Sequence, residues 1–146
     1  MTLKQLSLFL ENTPGALAAP CRLLAQNGMS ILTLSLADTE RFGILHLILR
    51  DWARAHEVLK NAGYAANVVD VLAVEVDDQP GGLVHVLEGL ERAGVSVDYV
   101  YAFTLRRDQK AILVLRVDDV EGAVKSLQAC GVPIVASDDV YALFDG

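Results

Sequence analysis

The sequence predicts an α+β protein built from two copies of one unit, each an antiparallel sheet with both helices on one face. Three observations predict it. The first is a repeated junction, Leu8-Phe-Leu-Glu-Asn-Thr-Pro-Gly-Ala-Leu17 and Val74-Glu-Val-Asp-Asp-Gln-Pro-Gly-Gly-Leu83, in which an apolar strand pattern meets an acid or amide, then Pro-Gly, then a helical pattern. Pro14 and Pro80 stand 66 positions apart. The second is the order of hydrophobic periodicities, strand, helix, strand, strand, helix, which occurs twice. The third is the set of glycines, Gly28, Gly63, Gly94 and Gly131, that stop the four helical patterns. Right-handed crossovers then place both helices of a unit on the same face of its sheet.

In the first copy, Leu3 to Leu10 alternates as a strand, and Asn12 or Thr13 can cap the helix after the Pro-Gly turn. That helix presents Leu17, Cys21, Leu24 and Ala25 and stops at Asn27-Gly28. Pro20 lies inside the pattern, where it should kink the first turns or delay the start. Ile31 to Ala37 and Gly43 to Arg50 read as strands around the turn Asp38-Thr-Glu-Arg41. Asp51 is placed to cap a second helix carrying Ala55, Val58, Leu59 and Ala62 on one face.

Asn67 to Val76 must close the first copy and open the second. Either Asp70 marks a break between two short strands, or one long strand passes from sheet to sheet. Both alternatives omit a flexible linker, and they divide the chain into repeats 1–70 and 71–146. The second copy then places Leu83, Val86, Leu87 and Leu90 on its first helix, and Val95 to Leu105 and Ala111 to Val117 in paired strands. Asp118 or Asp119 caps a helix with Val120, Ala123, Val124 and Leu127, and Val140 to Phe144 supplies the last strand. One sheet face is left open. Val97, Tyr99, Tyr101 and Phe103 alternate along a single strand, and the row serves as core, partner interface or ligand wall.

Composition narrows the function classes. A net charge of -7 argues against nucleic acid or an anionic membrane as partner, since both are bound through clustered Lys and Arg. Arg106-Arg107-Asp-Gln-Lys110 is the one basic cluster and reads as a solvated hairpin tip. A hydrophobic content of 53% without an apolar run of membrane-spanning length suggests that surplus apolar surface enters a subunit interface. The opening Met1-Thr-Leu-Lys-Gln5 has no signal-peptide pattern, and only Cys21 and Cys130 are present. A cytoplasmic location is expected.

Chemistry-bearing residues give little support to an enzyme. His46, His56 and His85 lie on a strand and two helices without metal-ligand spacing, and no nucleophile or phosphate-loop motif occurs. No metal or cofactor is expected. The acidic doublets Asp77-Asp78, Asp118-Asp119 and Asp138-Asp139 sit at element ends, where capping and solvation account for them. The Pro-Gly junctions are better candidates. Gly lets backbone approach a ligand closely, and free N–H groups at the following helix start suit a carboxylate.

These junctions, with Asn27-Gly-Met-Ser-Ile31 and Ala93-Gly-Val-Ser-Val97 at the same spacing in both copies, carry a resemblance to a known family. The chain resembles the ACT domain, the small-molecule regulatory module of amino-acid metabolism, here as a tandem pair without a catalytic domain. The resemblance implies two ferredoxin-like βαββαβ units, a free amino acid as ligand, and sheets joined side by side, so that a homodimer is expected. It also implies an amino-acid metabolic enzyme as a regulated partner.

Carried over by position, Asn12, Gly15, Ala16 and Leu17 form one ligand loop, and Asp78, Gly81, Gly82 and Leu83 the other. Ser30, Ile31, Ser96 and Val97 begin the neighbouring strands. Helix N–H groups would take the α-carboxylate, and Asp78 or the Asn12 amide oxygen the α-ammonium. Alternatively, Asn12 and Asp78 only cap their helices. Asn12 against Asp78 and Ala16 against Gly82 make the two sites unequal. The alternative function is an interaction module that holds a partner enzyme through the open sheet face and binds no ligand.

Overall fold

The strand and helix patterns of the two repeats become eleven elements in the computed structural model, which describes residues 2–38, 41–104 and 109–144. They are β1 (Leu3–Glu11), α1 (Ala18–Gln26), β2 (Thr33–Asp38), β3 (Phe42–Ile48), α2 (Trp52–Asn61), β4 (Ala66–Asp77), α3 (Gly82–Arg92), β5 (Val97–Thr104), β6 (Lys110–Val117), α4 (Val120–Ala129) and α5 (Ser137–Ala142). Contacts divide the chain into two compact units, Lys4–Val69, and Asp70–Gly146 together with Met1–Leu3. The expected hairpin tip at Arg106, Arg107 and Asp108, the turn residues Thr39 and Glu40, and Leu105 lie outside the described residues.

In the first unit, β1 and β2 both pair antiparallel with β3, between them. Period-two alternation sends Leu6, Leu8 and Leu10 of β1, with Leu45 and Leu47 of β3, to the helix-bearing face, where they meet Leu24 of α1 and Ala55 and Leu59 of α2. The helical stripe differs from expectation. Pro20 and Leu24 are the buried residues of α1, whereas Leu17 is exposed at the cap position. Pro20 occupies the third helical position, where N–H groups lack an intrahelical acceptor, so the ring costs no helix hydrogen bond. The delay does occur. α1 starts at Ala18, while α3 starts at Gly82, the repeat partner of Ala16.

The second unit orders its strands β4-β6-β5. Leu72, Val74 and Val76 of β4 and Ala111, Leu113, Leu115 and Val117 of β6 form a core with Val86 and Leu90 of α3 and Ala123 and Leu127 of α4. β4 is a single strand of 12 residues, which resolves the alternative left open at Asp70. Asp70 lies inside it; its carbonyl accepts from Arg116 Nη1 at 3.1 Å, and its carboxylate accepts from Thr2 Oγ1 at 3.3 Å.

Two expectations fail here. Val140 to Phe144 does not form the closing strand, because α5 occupies Ser137–Ala142. Beside Val74, β4 is met instead by a short bridge, Ile134 opposite Val74, with Glu75 N–H donating to Pro133 O (3.0 Å) and Val135 N–H to Ala73 O (2.8 Å). α5 then lies against the sheet face that the βαββαβ pattern leaves open. Val140 is fully buried, and the Phe144 and Phe103 rings meet at 5.4 Å between centroids. The aromatic row is also not continuous. A bulge at Asp98 breaks the alternation, so Val97 packs into the helix-side core while Tyr99, Tyr101 and Phe103 stand opposite Arg116, Val114 and Ile112 on the α5 side. Burial, with the nearby Tyr99 as a lesser cause, raises the Tyr101 phenol well above its usual value.

All four repeat helices end alike. Gly28, Gly63, Gly94 and Gly131 have positive φ, and the N–H groups of Met29, Tyr64, Val95 and Val132 reach back to Leu24, Leu59, Leu90 and Leu127 carbonyls at 2.9 to 3.0 Å. Among the described residues no helix is long and apolar enough to cross a membrane.

Candidate functional site

Both Pro-Gly junctions fold as tight loops whose geometry needs a glycine. Gly15 and Gly81 adopt φ of +85° and +92°, the left-handed region that favours glycine. In the first loop, Asn12 N–H donates to Arg41 O at 3.0 Å, Thr13 N–H to Glu11 O at 2.9 Å and Ala16 N–H to Thr13 O at 3.1 Å. In the second, Asp78 N–H donates to Gln109 O at 2.7 Å, and Gly82 N–H to Gln79 O at 3.1 Å. The residue at the cap position is Leu17 in α1 and Gly81 in α3, and neither helix has a side-chain cap. Asn12, Thr13 and Asp78 therefore do not cap these helices. Asp51 stands at the α2 cap position without a capping hydrogen bond, whereas Asp119 accepts from Gly122 N–H at 3.0 Å. Asp118 instead accepts from Ser96 N–H at 2.9 Å.

The loops differ in the space beside them. Next to the first is a hollow of about 70 Å³, walled by Asn12, Ala16, Leu17, Leu36, Asp38 and Gly43. Next to the second is a cavity of about 490 Å³ between the end of β4, the start of α3 and the segment after α4. Its wall includes Gly81 and Gly82 from the expected set, and Glu75, Asp77, His85, Lys110, Val132 and Pro133 that sequence reasoning did not assign to the site. Asp78 and Leu83 are not in that wall.

Register explains how these side chains converge. Asp77 and Lys110 are cross-strand partners at the ends of β4 and β6, and the Lys110 ammonium is paired with the Asp77 carboxylate. That hydrogen bond first, and then the positive charge itself, hold the Asp77 carboxyl below its usual value; a weaker bond from Gln79 acts in the same direction. His85, on the first turn of α3, places Nε2 at 3.1 Å from Cys130 O at the end of α4. The start of α3 is held very close to β4: a Cβ built on Gly82 would stand 2.2 Å from Asp77 O. Ala16, the repeat partner of Gly82, lies two residues ahead of the start of α1. The cavity thus joins a lysine, a histidine, two carboxylates and the positive end of a helix.

Ser30 and Ile31 precede β2; Ser96 precedes β5, which Val97 begins. β1 and β2 run parallel because both are antiparallel to β3, so Ser30 and Ile31 are at the end of that sheet opposite the Asn12 loop. The second unit has the same arrangement, with Ser96 and Val97 opposite the Asp78 end. Neither unit by itself joins the two halves of the expected site. Ile31 and Val97 pack against their cores. Glu75 and Asp77 were accessible to sequence reasoning through the alternation Val74-Glu-Val-Asp77, but Lys110 and His85 required register and helix docking.

The geometry defines a tandem α+β module with a Pro-Gly loop between the first strand and first helix of each copy. The chain belongs to the ACT domain family: the family model for an ACT domain pair matches residues 1–144. Protein BT0572 from Bacteroides thetaiotaomicron is similar over 97% of this chain and 96% of its own, at 33% identity and a TM-score of 0.90. The ligand-free regulatory subunit of aspartate kinase from Thermus thermophilus is similar over 87% of this chain and 91% of its own, at 14% identity and a TM-score of 0.64. The corresponding subunit from Thermus flavus is similar over 88% and 92%, at 16% and 0.61. Comparison with curated proteins gave no match.

Proposed function

We propose that this chain is a non-catalytic regulatory module that binds a free amino acid, and that the loop of the second unit is its principal ligand loop. The observation carrying this reading is the 490 Å³ cavity at that loop, with both signs of charge in its wall. An α-amino acid at neutral pH presents a carboxylate and an ammonium a few atoms apart. Lys110, His85 and the start of α3 suit the first, and Glu75 and Asp77 the second. Hydrogen bonds to charged groups contribute about 1.5 to 3 kcal/mol each, and a millimolar Kd requires about 4 kcal/mol. Two or three contacts are enough for a metabolite sensor.

Regulation follows if the ligand favours one arrangement of the protein over another, with a coupling of about 1 to 3 kcal/mol. The partner is an enzyme of amino-acid metabolism. That choice is supported by the family and by relatives of this fold that are aspartate kinase regulatory subunits by name. The working unit is a homodimer; β2 is an edge strand with Leu34 and Leu36 each 45% exposed, apolar surface suited to a second copy.

Thermal unfolding against the twenty free amino acids tests the reading. A ligand present at 100 times its Kd adds about 2.7 kcal/mol and raises Tm by several degrees. No shift with any amino acid, on protein shown by circular dichroism to be folded, refutes it.

A further inference from the structure

We infer that one amino acid binds per chain, in the second unit, and that its recognition requires both the ammonium and the carboxylate. The inference rests on the amino-acid-binding reading above and goes further by fixing stoichiometry and ligand class. It comes from comparing the two units position by position. β1 and β4 are equivalent, as are β3 and β6, because Glu11 pairs with Phe42 as Asp77 pairs with Lys110. Tyr64 and Val132 are equivalent by their matching hydrogen bonds to Leu59 and Leu127.

Through these equivalences Glu75 corresponds to Phe9, Lys110 to Phe42 and His85 to Ala19. Three ionisable groups of the second cavity are therefore apolar residues in the first unit, and only Asp77 keeps its charge, as Glu11. Tyr64, in place of Val132, puts a larger side chain against the first core. A zwitterion leaving water must have both charges met, since a buried charge without a partner is strongly disfavoured. The second unit has groups of both signs. The first retains an acid and its helix start, but no Lys or His at these positions.

A carboxylate lacking the ammonium would add a further negative charge beside Glu75 and Asp77, neighbours on one face of β4, with Lys110, already paired with Asp77, as the cation across the strands. An amine lacking the carboxylate would leave the positive end of α3 with no anion beside it. The cavity therefore discriminates against the α-keto acid and against the decarboxylated amine of whichever amino acid it holds.

Calorimetric titration of the full chain with each of the twenty L-amino acids, followed by the keto acid and amine matching any that bind, tests this. The expected result is one equivalent per chain, with both analogues more than tenfold weaker. Glu75→Gln and His85→Ala should each weaken binding at least tenfold, while Phe9→Ala and Phe42→Ala leave it unchanged. Two equivalents per chain, an analogue that binds as tightly, or undiminished affinity in Glu75→Gln and His85→Ala would overturn the inference while leaving amino-acid binding in place. Failure of every amino acid to bind would overturn both.

Discussion

Replacing Gly82 with alanine sets two physical effects against each other. By helix propensity the change is favourable: alanine is better than glycine in a helix by about 1 kcal/mol, and it reduces the entropy of the unfolded chain. By tertiary geometry it is unfavourable. The added Cβ would lie 2.2 Å from Asp77 O and 3.2 Å from Asp77 C, more than an ångström inside ordinary contact with the oxygen. Both atoms belong to backbone, and Asp77 is also fixed by its pairing with Lys110, so no side chain can rotate aside. The start of α3 must move outward, and overpacking of this kind costs about 1 to 3 kcal/mol. The net expectation is destabilisation of about 1 kcal/mol. Urea unfolding followed by far-ultraviolet circular dichroism would show it as a midpoint lowered by about 0.5 to 1 M, for slopes of about 1 to 2 kcal/mol/M. A midpoint equal to or above that of the parent would refute the close approach of α3 to β4, and with it the shape of the cavity. The reciprocal change in the first loop, Ala16→Gly, lies ahead of α1 and should lower the midpoint only slightly, through the greater freedom of glycine in the unfolded chain.

Two further outcomes follow from the same structure. Asp119→Ala should cost about 1 kcal/mol, because it removes the acceptor for Gly122 N–H at the start of α4, whereas Asp51→Ala should be close to neutral in the same unfolding assay. His46 supplies a pH dependence. It lies on the sheet face away from α1 and α2, with Gln5 Nε2 at 3.0 Å and Ser7 Oγ at 2.9 Å from Nδ1, and burial lowers its pKa from the ordinary 6.5. The unfolded chain then binds more protons than the folded one as pH falls below 6.5, so stability declines through that range toward the lowered pKa. His46→Gln should flatten the acid limb of a stability-against-pH curve below about pH 6.5; an unchanged limb would show that other groups cause it.

Much of the architecture was determined by local sequence. Period-two runs placed Leu6, Leu8 and Leu10, and Leu72, Val74 and Val76, on one face each, and Gly28, Gly63, Gly94 and Gly131 fixed the helix ends because each must take positive φ. The Pro-Gly junctions were identified for the same reason, since Gly15 and Gly81 perform a backbone task that few other residues can. What remained depended on partners distant in sequence. Val140 to Phe144 has the apolar content of a strand, yet the bridge at Ile134 meets β4 beside Val74, and Ser137–Ala142 forms a helix that buries Val140. The single bulged residue Asp98 moved Tyr99, Tyr101 and Phe103 away from the face that Val97 keeps, and no local pattern marks that slip. Asn12 and Asp51 have capping side chains but no capping role: the chain path puts Leu17 at the α1 cap position, and Asp51, at the α2 cap position, makes no capping hydrogen bond. Lys110 and His85 enter the candidate site only through strand register and the docking of α3. The sequence by itself determined the repeated unit and the location of its loops, which depend on neighbouring residues. Tertiary structure alone decided which loop has a charged cavity, because that depends on which side chains meet across strands.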